Sequence, residues 1–187
     1  ATNQNRLAIQ HANQPAVETT NFEVEKDFRP LSFTANGEVE AEVVFAGYGL
    51  SVPGKAGEGY DSYAGLNVSN KVVLVLRYVP ESVEPKRRQE LNRYAGLRYK
   101  AFIARQHGAA ALLVVSGPNS PTPGSLVGLS SDSSGAGSEI VAASIGTNVA
   151  EAILSAAGKN LKALQTGLDT ENPHAGGGLP VPGVKVK

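Results

Sequence analysis

The sequence predicts an α+β domain organised around one parallel β-α-β crossover, and three observations predict it. Residues 72–76 and 109–115 are short, continuous apolar runs bounded by polar residues. Such runs read as strands buried on both faces. Between them Leu91, Tyr94, Leu97, Ala101 and Ala104 recur at spacings of three and four, which places them on one face of a helix over about 91–106, with Arg93, Lys100 and Arg105 away from that stripe. Two parallel strands need a crossover of this kind, and such crossovers are nearly always right-handed. Finally, Val39, Ala41, Val43 and Phe45 alternate with Glu38, Glu40 and Glu42, the period of a half-buried strand.

The remaining elements follow in order. Residues 1–21 are polar, with weak periodicity around Leu7, Ile9 and Val17; they read as an extended lead-in with a short helical turn, ending near Pro15. Phe28–Phe33 alternates in part, and Pro30 suits an edge strand. Asn36-Gly37 is the dipeptide of a tight hairpin with positive φ. Gly47-Tyr48-Gly49 marks a bend or a close backbone approach after the alternating strand. Residues 51–59 form a Gly/Pro-rich loop, and 60–64 one short helical turn. Asn67 and Asn70 are suited to left-handed turn positions before the first buried strand.

Residues 78–90 read as a polar loop, Gly108 as the C-terminal cap of the crossover helix, and 119–137 as a mobile Ser/Gly/Pro-rich surface loop. Residues 139–145 are a further strand. Asn148 and Glu151 have capping-box spacing ahead of a helix striped by Val149, Ala152, Ile153 and Ala156 and ended by Gly158. Leu161, Leu164 and Leu168 mark another short helix. Residues 173–178 read as a linker, and Val181, Val184 and Val186 as a final strand leaving the domain, its start placed at an edge by Pro182.

Composition excludes several classes of function. The 187 residues suffice for one domain with a real core. A formal net charge of zero argues against a dedicated nucleic-acid binder. With no cysteine there is no disulfide, no thiol chemistry and no Cys-ligated zinc. No apolar stretch is long enough to span a bilayer, and residues 1–14 do not read as a signal peptide. Lacking any methionine, the sequence reads as a processed product or an excised fragment. Charge is unevenly spread: residues 1–70 carry nine acids and four bases, whereas 86–105 carry seven bases and one acid.

Several segments together carry a resemblance. They are Asp27–Phe33, Val43–Gly49, Tyr60–Leu66, Asn70–Arg77, Lys100-Ala101 and His107–Val114. In this order and spacing the chain, from about residue 27 onward, resembles the protease-associated (PA) domain in the form inserted in bacterial di-zinc aminopeptidases, the family of glutamate carboxypeptidase and the transferrin receptor. The resemblance implies a mixed β-sandwich or open barrel flanked by helices. It also implies a division into a lead-in (1–26), the PA domain (27–170), and a linker with an exit strand returning toward a parent peptidase domain (171–187). Asn67 and Asn70 stand where the family usually has Asp and Gly, and both keep the turn. Glutamate-selective relatives carry an arginine shortly after the position of Tyr48; Leu50 and its neighbours offer none, so no acidic-substrate pocket is implied there.

A di-zinc peptidase needs converging His, Asp and Glu ligands to activate water and polarise the peptide carbonyl. His11, His107 and His174 are not in His-x-Asp, and no Glu-Glu pair occurs. There is also no Gly-x-Ser-x-Gly elbow and no dinucleotide glycine motif in a strand–helix context. No catalytic residue and no cofactor are therefore assigned to this segment. The resemblance implies zinc in the parent peptidase domain and an extracellular or periplasmic location. Contact candidates are the aromatic group Tyr48, Tyr60 and Tyr63 beside Gly-rich turns, together with Arg77, Arg87 and Arg88. For each, the plain alternative is packing or a solvated face. The implied role is a non-catalytic flank or lid of the active-site cleft that modulates substrate access, with the parent domain and a peptide substrate or protein as partners. The alternative is a free-standing peptide- or protein-binding module.

Overall fold

The computed structural model describes residues 5–11, 18–55, 58–129, 139–171 and 178–187. Its strands are β1 (Leu7–His11), β2 (Glu18–Phe22), β3 (Phe28–Pro30), β4 (Ala41–Phe45), β5 (Ser51–Val52), β6 (Tyr60–Asp61), β7 (Val72–Leu76), β8 (Ala111–Val115), β9 (Val141–Ile145) and β10 (Leu179–Val186). Its helices are α1 (Pro85–Asn92), α2 (Leu97–Gln106), α3 (Thr147–Ser155) and α4 (Leu161–Leu168). One mixed sheet runs β2-β1-β10-β4-β7-β8-β9-β3, and β5 and β6 form a separate pair.

The sheet must curl. Its two edge strands, β2 and β3, are joined by only Glu23–Asp27. The links from Phe22 to Phe28 reach at most about 21 Å, whereas a flat sheet of this many strands is about 33 Å across. A bridge between Val24 and Phe28 lies at this closure. The result is the α+β open barrel, with helices against it, that the resemblance implies.

Strands β4, β7, β8 and β9 are mutually parallel neighbours, so parallel pairing extends beyond the one expected crossover. β7 and β8 are buried along their whole length because both faces are covered. Val72, Leu74, Leu76, Leu113 and Val115 pack with α3 and α4. Val73, Val75, Leu112 and Val114 pack with Ala101, Ile103 and Ala104 of α2. That double burial is why these strands are continuous apolar runs rather than alternating ones.

Several expectations are corrected. The crossover helix expected over 91–106 is two helices. Gly96 takes an extended backbone (ψ 134°) as the N-cap of α2, which breaks the helix after α1. Part of the expected 78–90 loop is α1 itself, started by Pro85 at its first position. Asn36-Gly37 makes no tight hairpin: neither residue has positive φ, and β3 pairs with β9 rather than β4. Residues 60–61 are strand, followed by a turn rather than a helical one. Asn148 lies inside α3, where its amide donates to Asp27 Oδ1, and Gly146 is the N-cap.

β10 is not an edge strand but lies between β1 and β4, and a register shift between Val181 and Lys185 accommodates Pro182 and Gly183. The lead-in is strand where described, in β1 and β2. The break expected near Pro15, residues 130–137 of the 119–137 loop, and the 173–178 linker apart from Gly178 lie outside the described residues. Pro30 does sit on an edge strand, and Asn70 (φ 57°) and Gly108 (φ 81°) take the left-handed backbone expected of them.

Gly49 shows how tightly the top of the sheet is packed. Its φ is +61°, and a Cβ there would lie 2.7 Å from Val75 Cγ1. Gly49→Ala is expected to cost about 2–4 kcal/mol, from left-handed strain together with overpacking. Urea unfolding followed by circular dichroism checks this; a loss below about 1 kcal/mol would show that the turn relaxes freely.

Candidate functional site

The carboxyl ends of β4, β7 and β8 lie side by side, and in open parallel sheets ligands bind outside such ends. Here the loops after these strands meet the first turn of α2 and the last turn of α4. Gly47 and Gly49 both have positive φ and flank Tyr48, turning its ring into the core, where it is fully buried. The Tyr48 hydroxyl donates to Asp169 Oδ1 (2.5 Å) and accepts from Gln165 Nε2 (3.2 Å). Burial, then the bond to Asp169, holds the phenol above its ordinary pKa, so Tyr48 is the donor of this pair.

Asp169 is the hub of the end. Its Oδ1 also accepts from Glu81 N (3.2 Å), and its Oδ2 accepts from Asn119 Nδ2 (2.9 Å). Gln165 Oε1 accepts from Asn119 N (3.0 Å). Three loops and α4 are thus joined through one carboxylate and one amide.

Beside this hub lies Lys100, with no exposed surface. Its Nζ donates to the carbonyls of Leu76 (2.9 Å) and Tyr78 (2.7 Å), which bracket Arg77. The third direction faces the Tyr48 ring, 5.8 Å to the centroid. Burial, then the charge of Arg77, lowers its pKa from 10.5 to about 7. Tyr78 has φ 70°, a costly backbone for a bulky residue, and the Arg77 guanidinium lies 4.7 Å over its ring. The Tyr78 hydroxyl meets Thr122 Oγ1 (2.9 Å).

The structure distributes the six contact candidates unevenly. Tyr48, Tyr60 and Tyr63 are all buried, so their rings pack rather than line a surface. The Tyr60 and Tyr63 hydroxyls have no hydrogen-bond partner among the described residues. Tyr63 stacks on His107 (4.4 Å), which follows α2 and so stands at the other end of that helix from Lys100. Arg87 is spent internally on Glu171 (2.5 Å), Glu90 (2.8 Å) and the carbonyls of Glu58 and Gly59. Arg88 pairs with Glu81, and Arg105 with Glu139. Three of the seven bases over 86–105 are therefore neutralised by internal pairs. Arg77 alone of the six is partly exposed with a guanidinium in no ion pair among the described residues.

Sequence reasoning misses Lys100, Gln165 and Asp169. A stripe read through Leu97, Ala101 and Ala104 leaves Lys100 at its margin; the buried face of α2 is Lys100, Ala101, Ile103 and Ala104, and it is Ile103 that turns this face toward Lys100. Gln165 fills the buried stripe of α4 with Leu161, Leu164 and Leu168, a polar residue at an apolar position, and that is the available signal.

Among the described residues no three His, Asp or Glu side chains group to hold a metal ion, so the residues present do not fit zinc. A groove of about 530 Å³ opens at the opposite, amino ends of the parallel strands, between Phe28, Val72, Ala111, Val141 and Val186.

Comparison with known proteins adds the family. No curated protein matches this chain. A solved structure, an aminopeptidase from Aneurinibacillus sp. strain AM-1, is 18% identical with a TM-score of 0.44; the match covers 97% of this chain and 31% of that one. The chain therefore spans less than a third of that protein's length. The family model of the PA domain matches residues 39–153, from the strand before Gly47 through the crossover and into α3. More than half of the sequence is covered, including all three strand ends described above, and the chain belongs to the PA-domain family.

Proposed function

We propose that this chain is the non-catalytic PA domain of a secreted or periplasmic zinc aminopeptidase, flanking its active-site cleft and modulating which peptides enter. Beside the family match, one observation outside the matched residues carries the reading. β1 and β10 are antiparallel neighbours, with Ala8 N bonded to Lys187 O (2.8 Å) and Lys187 N to Ala8 O (2.9 Å). The start of β1 and the end of β10 therefore lie together, a two-point attachment suited to insertion in a host domain. The carboxyl edge with Arg77 faces the other way, because β4, antiparallel to β10, runs away from that attachment. An edge held at a fixed distance from its attachment can contact a substrate that a host domain cleaves. The segments 1–26 and 171–187 would then be the passages from and to that host.

The role is steric and by binding, so the 187-residue chain incubated with zinc and aminoacyl p-nitroanilides is expected to show no turnover above buffer. Turnover abolished by a chelator would overturn the reading. In the host enzyme, replacing the domain by a short linker is expected to leave cleavage of aminoacyl p-nitroanilides and to change the preference among longer peptides.

A further inference from the structure

We infer that Arg77, backed by the buried Lys100, forms a carboxylate-binding site at the carboxyl ends of β7 and β8. The first observation is an imbalance of charge. Arg77 is close enough to Lys100 to disfavour its charge, yet neither is paired with a carboxylate among the described residues. Neither nearby carboxylate bonds to them. Asp169 is bonded to Tyr48, Glu81 N and Asn119, and Glu81 is paired with Arg88 through Oε2, its buried Oε1 having no hydrogen-bond partner among the described residues. Two neighbouring cations, one of them wholly buried, are a costly arrangement without an anion.

The second observation is pre-organisation. Lys100 grips the carbonyls on both sides of Arg77, and Tyr78 takes a left-handed backbone that lets its ring lie under the guanidinium. Tyr78 is in turn fixed by Thr122. A partly exposed guanidinium anchored beside a tyrosine ring keeps a planar fork of donors, the group that takes a carboxylate in a bidentate pair. The third observation lies next to Arg77 in the strand register. Ser116 follows Val115, the partner of Leu76, and its buried Oγ has no hydrogen-bond partner among the described residues. It is a spare donor behind the site.

A carboxylate on Arg77 offsets the repulsion that lowers the Lys100 pKa, so binding and protonation of Lys100 favour each other. The charged and titratable groups around Lys100 are Arg77 just after β7 and Tyr48 from the β4 turn, with Asp169 at the C-cap of α4 and Glu81 behind Tyr48. Tyr48 stays protonated and does not titrate in this range. If binding raises the Lys100 pKa by about one unit, affinity falls about tenfold as pH rises from about 6 to 9.

The preceding reading enters only in naming the carboxylate as a peptide's; carboxylate binding itself is tested on this chain without any peptidase. The Arg77 Nε–Hε signal of the ¹⁵N-labelled 187-residue chain is followed by NMR during titration with three probes. N-acetyl-dialanine carries a free C-terminal carboxylate. N-acetyl-alanyl-glutamate amide carries only a side-chain carboxylate, and N-acetyl-dialanine amide carries none. The expected result is a saturable shift with one or both acids and none with the neutral amide. A response to the first alone identifies a peptide C-terminus, and a response to the second alone an acidic side chain. Read from the backbone amide signals of Tyr78 and Ser116, which all the proteins share, Arg77→Gln abolishes the binding, while Lys100→Met weakens it and removes its pH dependence. The inference is overturned if neither acid shifts the signal, or if the neutral amide shifts it equally. The wild-type titration decides the matter even if a variant fails to fold.

Discussion

Replacing Asp169 with alanine is expected to destabilise the fold by about 3–5 kcal/mol, the range for removing one partner from a buried charged network. Asp169 is 5% exposed, and its two oxygens satisfy Tyr48, Glu81 N and Asn119. Alanine leaves the Tyr48 hydroxyl proton and the Glu81 N–H without this acceptor inside a closed region. Asp169→Asn keeps the shape but directs an amide donor at groups that also donate, and is expected to cost about 2 kcal/mol. Tyr48→Phe removes one donor and is expected to cost about 1–2 kcal/mol. Urea unfolding of the singles and of the double variant measures the coupling, expected to exceed about 1 kcal/mol because the two groups touch. A cost below about 1 kcal/mol for Asp169→Ala would show that the loops hold together without their hub. The secondary structure beneath should persist in the variant, since β7 and β8 are held by apolar contacts on both faces.

The parts of this fold that are legible in the sequence are those where one physical demand acts on many residues. Double burial writes itself as the runs of β7 and β8, and helical burial as the stripes of α3 and α4. The closed turns at Asn70 and Gly108 are legible because few residues adopt a left-handed backbone. Where a local signal competes with long-range pairing, pairing wins. Asn36-Gly37 has the composition of a hairpin, but β3 finds its partner in β9, more than a hundred residues on. Pro182 suggests an edge, yet a register shift lets β10 keep neighbours on both sides.

The site is less legible because it is made of exceptions. An aromatic beside glycines is equally suited to a surface contact and to a ring turned inward, and only the positive φ of both glycines around Tyr48 decides for the core. Arg87 and Arg88 look like a rim until Glu171 and Glu81, one of them far along the chain, neutralise them. Asp169 follows a helix whose leucines explain its periodicity without it. Of the six contact candidates, Arg77 alone keeps both some exposure and an unpaired charge among the described residues. The residue that positions it, Lys100, lies at the margin of a stripe drawn through Leu97, Ala101 and Ala104, and comes to the centre of the buried face only when Ile103 is counted in it.

The buried lysine also predicts an unusual pH dependence of stability. Its pKa is about 7 in the folded state, set by burial and then Arg77, against 10.5 in the unfolded chain. Between these values the unfolded chain holds the proton and the native state does not. The unfolded state binds more protons, so stability rises with pH from about 7 to 10.5, and the whole penalty is present below about 7. The gain across this window is on the order of 5 kcal/mol, reduced by whatever the two carbonyl bonds contribute to the charged form. Lys100→Met removes the ionisable group but leaves the carbonyls of Leu76 and Tyr78 without their donor, at about 1–3 kcal/mol. At about pH 6 these effects oppose each other, and the variant should lie close to or above the wild type. By about pH 9 more than half of the penalty has gone and the two proteins should be close in stability; by about pH 10.5 the neutral wild-type amine donates to its carbonyls without the penalty, and the wild type should be the more stable. Urea midpoints of both proteins at several pH values from about 6 to 10.5 test the crossing. Parallel curves over that range would mean that Lys100 keeps its proton throughout, its two carbonyls and the Tyr48 ring being sufficient solvation for a buried ammonium. Arg77→Gln supplies an independent check, since removing the neighbouring positive charge should move the rise in stability to higher pH.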